Sequence, residues 1–194
     1  MKQFTKEDTN PMTWEEMSRL VDVLITKVNS YFDAKGERVS LIAPLLRSGG
    51  IIGSILAIKM RIVPILPVQF KNFYESSSVE KMFKIPDILI HVPTPMNILL
   101  CDGNTSSGST AVKAAQAIKE KYPEAKVILA TLTKVFGGPE KLEGIEDILY
   151  GTMTDERFRA TEEEMRNYNL RKGVTIFPWE DADDELSDIN GHQE

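Results

Sequence analysis

The residues with the clearest chemical potential run Ile98-Leu99-Leu100-Cys101-Asp102-Gly103-Asn104-Thr105-Ser106-Ser107-Gly108-Ser109-Thr110. Apolar residues that read as a buried strand end in a carboxylate, and a polar loop over 102–108 leads into a helix predicted over 109–122. The first amides of a helix have no internal partner, and the helix dipole favours an anion there. Hydroxyls and amides of Thr105, Ser106, Ser107, Gly108, Ser109 and Thr110 could therefore ring a monoester phosphate. Asp102, one loop away, suits a sugar diol or a magnesium ion. No Gly-Lys-Ser/Thr follows, so this is not a Walker A loop, and it is not the dinucleotide fingerprint either. The same residues also suit a plain strand-to-helix turn in which Ser and Thr act as caps. A second candidate is Leu46-Arg47-Ser48-Gly49-Gly50, a tight loop that sets a basic residue before a glycine pair.

Such loops need a frame, and the hydrophobic spacing supplies one. Thr13 and Glu16 form a capping-box pattern ahead of Met17, Leu20, Val21, Leu24 and Val28, which recur at helical spacing up to a stop near residues 33–36. Strands are predicted over 39–44, 62–68, 97–101 and 127–132, with weaker candidates at 148–150 and 174–177. Helices are predicted over 51–60 and 109–122, and another is opened by Thr161 and Glu164. Strands alternating with helices imply an α/β fold with a mostly parallel central sheet flanked by helices. Both loops then leave carboxyl ends of strands, where open α/β sheets bind ligands.

Residues 70–96 lack clear periodicity and carry Ser76-Ser77-Ser78, several lysines and three prolines; they fit a mobile lid or a variable surface excursion equally well. Residues 1–12 read as an N-terminal arm, residues 1–180 as one domain, and 181–194 as a mobile acidic tail.

Composition narrows the function classes. The chain has 194 residues, enough to bury a core without staples. Its net charge of −6 argues against a nucleic-acid partner, which requires clustered Lys and Arg. Cys101 is the only cysteine, so no internal disulfide can form and a reducing cytoplasm is expected. Two histidines and one cysteine cannot build a typical structural zinc site. The first ten residues hold no apolar signal core, and no apolar run reaches the length of a membrane span, so no membrane partner is expected.

The two loops resemble signatures of the type I phosphoribosyltransferases. Asp102 falls on the first acid of that family's phosphoribosyl pyrophosphate motif, and Ser107-Gly108-Ser109-Thr110 on its Thr/Ser-Gly-x-Thr end. Leu46-Arg47-Ser48-Gly49-Gly50 is similar to the family's pyrophosphate loop, which often carries a cis peptide, here at Leu46–Arg47. Further along, Thr131-Leu132-Thr133-Lys134 resembles a strand end that sets a lysine against a base oxygen. Ile176-Phe177-Pro178-Trp179-Glu180 resembles a C-terminal segment of the xanthine–guanine and hypoxanthine branch. The pattern departs from the family at three places. Gly103 replaces the second acid, which engages ribose hydroxyls. Ser106 stands where the hypoxanthine–guanine branch has an aspartate near the base. Val174 stands where an aromatic would stack on a purine.

The resemblance implies a type I phosphoribosyltransferase-like fold with a small hood formed by terminal segments. It also implies transfer of a phosphoribosyl group to a purine-like base with release of pyrophosphate. Asp102 would be catalytic; residues 105–110 would hold the 5′-phosphate, and Arg47, Ser48 and Gly49 the pyrophosphate. Lys134 and Trp179 would contact the base, and Asp102 with Glu180 would hold Mg2+. The expected partners are phosphoribosyl pyrophosphate and a nucleobase, and the expected assembly is a homodimer or higher homo-oligomer. The departure at Gly103 leaves an alternative open: a non-catalytic phosphoribosyl- or nucleotide-binding module with a regulatory or scaffolding role.

Overall fold

The structure is a computed structural model. It describes residues 3–62, 64–73 and 78–191, without the side chains of residues 72 and 73. A 3-10 turn at Lys6–Asp8 precedes β1 (Thr9–Pro11), α1 (Trp14–Asp33), β2 (Leu41–Leu46), α2 (Ser48–Met60), β3 (Val68–Phe73) and β4 (Ser78–Lys81). Then follow β5 (Met96–Thr105), α3 (Ser109–Lys121), β6 (Ala125–Val135), β7 (Ile148–Asp155), α4 (Glu162–Asn167), β8 (Arg171–Lys172), β9 (Val174–Ile176) and α5 (Ala182–Gly191). Among the described residues, β4-β3-β2-β5-β6-β7-β8 form the main sheet in that order, and β1 pairs with β9 in a second, small sheet. Every neighbouring pair of the main sheet is parallel except β3 with β4.

Strand alternation divides the core. Leu41, Ala43, Ile98, Leu100, Val127 and Leu129 face α3, meeting Ala111, Ala114, Ala115 and Ile118. Ile42, Leu99, Cys101, Ile128, Ala130 and Leu132 point the other way, onto α1 and α2. Residues buried on both faces explain why these strands read as continuous apolar runs. α1 begins as expected: Thr13 Oγ1 accepts from Glu16 N (3.1 Å) while the Glu16 carboxylate accepts from Thr13 N (3.0 Å). No helix among the described residues is long and apolar enough to cross a membrane.

The structure departs from the sequence expectations in several places. The strand expected over 62–68 shrinks to an isolated bridge between Ile65 and Ile42, and β3 starts only at Val68. Pro64 and Pro67 have no N–H for a ladder, which explains the interruption. The stretch expected as a lid or a surface excursion opens with the antiparallel β3–β4 pair; its residues 74–77 lie outside the described residues, as do 1–2 and 192–194. β5 runs past Asp102 to Thr105, leaving a loop of only three residues, because Asn104 and Thr105 stay in register with Thr133 and Lys134 of β6.

The segment expected as an acidic tail forms α5 over Ala182–Gly191. Asp181 Oδ1 accepts from Asp183 N (2.8 Å), Leu186 is buried, and Asn190 pairs with both backbone groups of Phe4. Acids in the first turn of a helix complement its dipole, a pattern that reads in sequence as a solvated tail. The terminal segments thus meet through β1–β9 and α5.

One close approach fixes the sheet edge. A Cβ on Gly49, at the start of α2, would fall far inside van der Waals contact with the Cys101 carbonyl oxygen of β5. Gly49→Ala is therefore expected to destabilise the chain by about 2 kcal/mol or more in urea denaturation. Gly191→Ala, where a Cβ meets open space, should change stability by no more than about 0.5 kcal/mol. Equal effects would show that the approach does not constrain the fold.

Candidate functional site

The strand order reverses direction between β2 and β5: β3 lies outward of β2, while β6 and β7 lie outward of β5. This is the switch point where α/β sheets open a crevice. The loops after β2 and β5 border it and touch. Gly49 packs on Cys101 and Asp102, and Gly103 on the Ser48 side chain. Both peptides Leu46–Arg47 and Thr94–Pro95 are cis.

A cavity of about 190 Å³ lies at the start of α3, lined by Asp102, Asn104 and residues 105–111. It brings Asp102 together with every residue expected in the phosphate cradle. Gly108 caps α3 in the left-handed conformation (φ 73°), and Ser109 is the first helical residue. The Ser107 hydroxyl lies 3.1 Å from Ser109 Oγ. The amides of Thr110 and Ala111 find no acceptor among the described residues. These are the free donors that a helix start offers an anion.

Asp102 is half-buried, and Gly103 N donates to its Oδ1 (2.8 Å). Burial pushes its pKa from 3.8 up to about 7, with the Gly103 amide opposing. Glu180 is also half-buried, and its Oε2 accepts from Phe177 N (2.9 Å). Its pKa rises from 4.5 to about 7 through burial first, resisted by that amide and reinforced by the charges of Glu185, Glu156 and Asp102. The Asp102 and Glu180 carboxylates are therefore close enough to feel one another. Burial also pushes the Cys101 thiol up, so it is an inert core group.

The remaining expected residues are placed as follows. Ser48 Oγ is shielded from solvent and unpartnered beside Gly103. Arg47 is exposed and does not line the cavity; its charge reaches Glu185 of α5. Lys134 is 2 % exposed and also stands off the cavity, with its ammonium 2.7 Å from Glu140 Oε1 and 5.6 Å from the Tyr150 ring centre. Trp179 stacks flat on Phe177 (4.9 Å, 2°) and tilts against Trp14 (6.0 Å) instead of lining the cavity. Val174 is buried in β9.

Asn104, the neighbour of Gly103 suited to take over part of its contact, falls in the predicted loop by sequence but lies on β5 and lines the cavity. Two further residues belong to neither loop motif. Glu156 accepts from Asn104 Nδ2, Thr154 Oγ1 and Thr175 N. Arg157 donates from Nη2 to Ser106 Oγ (2.9 Å) at the cavity mouth. The charged run Asp155-Glu156-Arg157 at the end of a strand was the available signal.

The chain matches no protein-family model and no curated protein sequence. Solved structures do resemble it. The purine phosphoribosyltransferase from Pyrococcus horikoshii Ot3 aligns with TM-score 0.63 and 16 % identity over 90 % of this chain and 95 % of that one. The Helicobacter pylori xanthine-guanine-hypoxanthine phosphoribosyltransferase aligns with TM-score 0.63 and 17 % identity, over 93 % and 99 %. A hypothetical protein from Neisseria gonorrhoeae with bound ppGpp aligns with TM-score 0.59 and 18 % identity, over 96 % and 98 %. The chain has the type I phosphoribosyltransferase-like fold.

The carboxylates make a pH prediction. A carboxyl whose pKa is raised by folding stabilises the fold fully below its unfolded value and loses that contribution as pH rises through its folded value. Glu180→Gln keeps an oxygen for Phe177 N and removes the titration. Relative to this variant, the wild type should lose thermal stability between about pH 4.5 and 7. Melting curves offset by the same amount across that window would reject the burial of this carboxylate.

Proposed function

We propose that the chain is a phosphoribosyltransferase that moves the phosphoribosyl group of phosphoribosyl pyrophosphate onto a purine-like base. One observation carries this reading: two helix starts, at Ser48 and Ser109, converge on one sheet edge with Asp102 between them. The hydroxyls and amides of residues 105–110 would hold the 5′-phosphate. Arg47 and the amides of Ser48 and Gly49 would hold the pyrophosphate. Asp102 would bind the ribose hydroxyls or a metal ion.

The acids fit a dication, because two half-buried carboxylates raised toward neutrality would be relieved by one. Among the described residues no three metal-binding side chains gather at one point. Asp102 and Glu180 would thus hold Mg2+ together with ligand oxygens, as that ion prefers. When bound, the ion would offset charge on the departing pyrophosphate. In the reaction the bond from C1 to pyrophosphate breaks, a bond from a ring nitrogen to C1 forms, and the nitrogen's proton leaves to solvent. Developing positive charge at C1 needs positioning and a nearby anion more than a protein nucleophile. Lys134, once released from Glu140, would orient the base. Trp179 would act from behind, by holding Phe177 against Gly103. A homo-oligomer working in the cytoplasm belongs to the same proposal.

The base end favours a second reading. Lys134 is already ion-paired and no aromatic side chain lines the cavity, which suits a module that binds a phosphoribosyl ligand or nucleotide without turnover. The ppGpp in the gonococcal protein supports that version.

The deciding experiment measures pyrophosphate release from phosphoribosyl pyrophosphate and Mg2+ with a panel of bases. The transferase reading expects release with at least one base, slowed about tenfold to a hundredfold in Asp102→Asn by the loss of a charged contact. Binding without release for any base would favour the module. No binding would reject both readings.

A further inference from the structure

Position 103 offers no side chain to a ligand site in this chain, and one added there would be crowded. A Cβ there would lie 2.5 Å from Ser48 Oγ and 3.2 Å from the Phe177 ring. Successive residues of a strand face opposite ways, so Asp102 and Asn104 share the face that Gly103 turns from, and both line the cavity at the start of α3.

The Asn104 side chain is held at both ends. Its Oδ1 accepts from Thr133 Oγ1 of β6 (2.9 Å), and its Nδ2 donates to the two oxygens of Glu156 (3.0 and 3.2 Å). Reversing the amide would turn its oxygen onto the carboxylate, so the network sets the orientation. Glu156 is fixed in turn by Thr154 Oγ1 and by Thr175 N of β9, each at 3.2 Å. An amide has two donors and two acceptor positions. The two Glu156 oxygens sit side by side and share one hydrogen of Nδ2, so one donor and one acceptor position remain for a ligand, on a side chain whose rotamer is already settled. Ordering it on binding costs little.

We propose that Asn104 contacts a hydroxyl of the bound phosphoribosyl group and that Glu156 is the positioning residue that aims it. The pair supplies the polyol contact for which position 103 has no side chain. This rests on the reading that the cavity takes a phosphorylated ribose. Phosphate seated on the first turn of α3 leaves the sugar between Asp102 and Asn104. A fixed amide beside a carboxylate discriminates a diol from its deoxy forms, because removing a hydroxyl leaves the amide unpaired.

The test is calorimetric titration of the full chain with ribose 5-phosphate, its 2-deoxy and 3-deoxy analogues, and inorganic phosphate. The wild type should prefer ribose 5-phosphate over one deoxy analogue by about fivefold to tenfold. Asn104→Ala should erase that preference while its affinity for inorganic phosphate stays unchanged, which also reports an intact fold. Glu156→Ala should erase it too, and Glu156→Gln, which keeps an acceptor for Asn104, should restore most of it. If Glu156→Ala fails to bind phosphate, Glu156→Asp decides: a weakened preference supports the positioning role, and an unchanged one overturns it. An Asn104→Ala variant that keeps the preference overturns the assignment of Asn104 alone. A wild type that binds phosphate, or nothing, without preferring the ribose overturns the phosphoribosyl reading and this assignment with it.

Discussion

The site depends on bare backbone meeting bare backbone where α2 begins. Gly49 lets the first turn of α2 rest on the Cys101 carbonyl, and Gly103 makes room for Ser48 and the edge of Phe177. A side chain at Gly49 would strike the β5 backbone and push the helix off the strand, while one at Gly103 would crowd the Ser48 and Phe177 side chains. The approach draws the loop after β2 toward the loop after β5 across the switch point, so two helix starts share one crevice. Each start carries partial positive charge, and two of them at one edge repel each other unless an anion lies between. Residue 103 serves this packing. Its lack of an acid is thus a consequence of how the helix docks, with the Phe177–Trp179–Trp14 stack filling the space behind it.

Acidic groups gather at the same edge. Asp102, Glu156 and Glu180 all have raised pKa values, with burial as the leading cause. Each keeps one backbone N–H, from Gly103, Thr175 and Phe177 respectively. One amide apiece does not offset the burial, since all three values stay raised. Glu156 has side-chain donors to spare and holds Asn104. Asp102 and Glu180 have no such surplus, and the charge of Asp102 adds to the rise at Glu180. Proton uptake or a cation relieves such an arrangement, and either would couple the state of the crevice to what occupies it.

Much of this was legible because it rests on local patterns. The apolar runs at 39–44, 97–101 and 127–132 marked strands buried on both faces, the first of them two residues ahead of the observed β2, and the capping boxes at Thr13 and Thr161 marked the starts of α1 and α4. The hydroxyl-rich turn and the Arg-Ser-Gly-Gly loop lie, as expected, after the carboxyl ends of two neighbouring strands. Less legible were features decided by partners far along the chain. β5 extends to Thr105 because Thr131 and Thr133 of β6 bond to Gly103 O and Asn104, and nothing near Asn104 announces that. Glu156 reaches Asn104 across 52 positions. The acids of α5 mimic a solvated tail because their stabilisation comes from the helix dipole and from Asn190 gripping Phe4.

The carboxyl end of β6 shows how the fold supplies a lysine with a partner that its own strand does not announce. A lysine closing β6 suits a base oxygen, and the sequence placed it there. In the folded chain its side chain is 3 % exposed, and a buried ammonium cannot stay unpaired without a large desolvation cost. Glu140, 85 % exposed, supplies the pairing charge from the loop after β6. That loop also covers the turn at residues 106–108: a Cβ on Gly138 would meet Ser106 O, and one on Gly108 would meet Leu142. The lysine's partner and the cover of that turn thus belong to one segment. Displacing Glu140 means moving a solvated carboxylate, whereas displacing the Lys134 ammonium means moving a buried group on β6. The adjustable element at this end is therefore the loop, and the lysine is its fixed point.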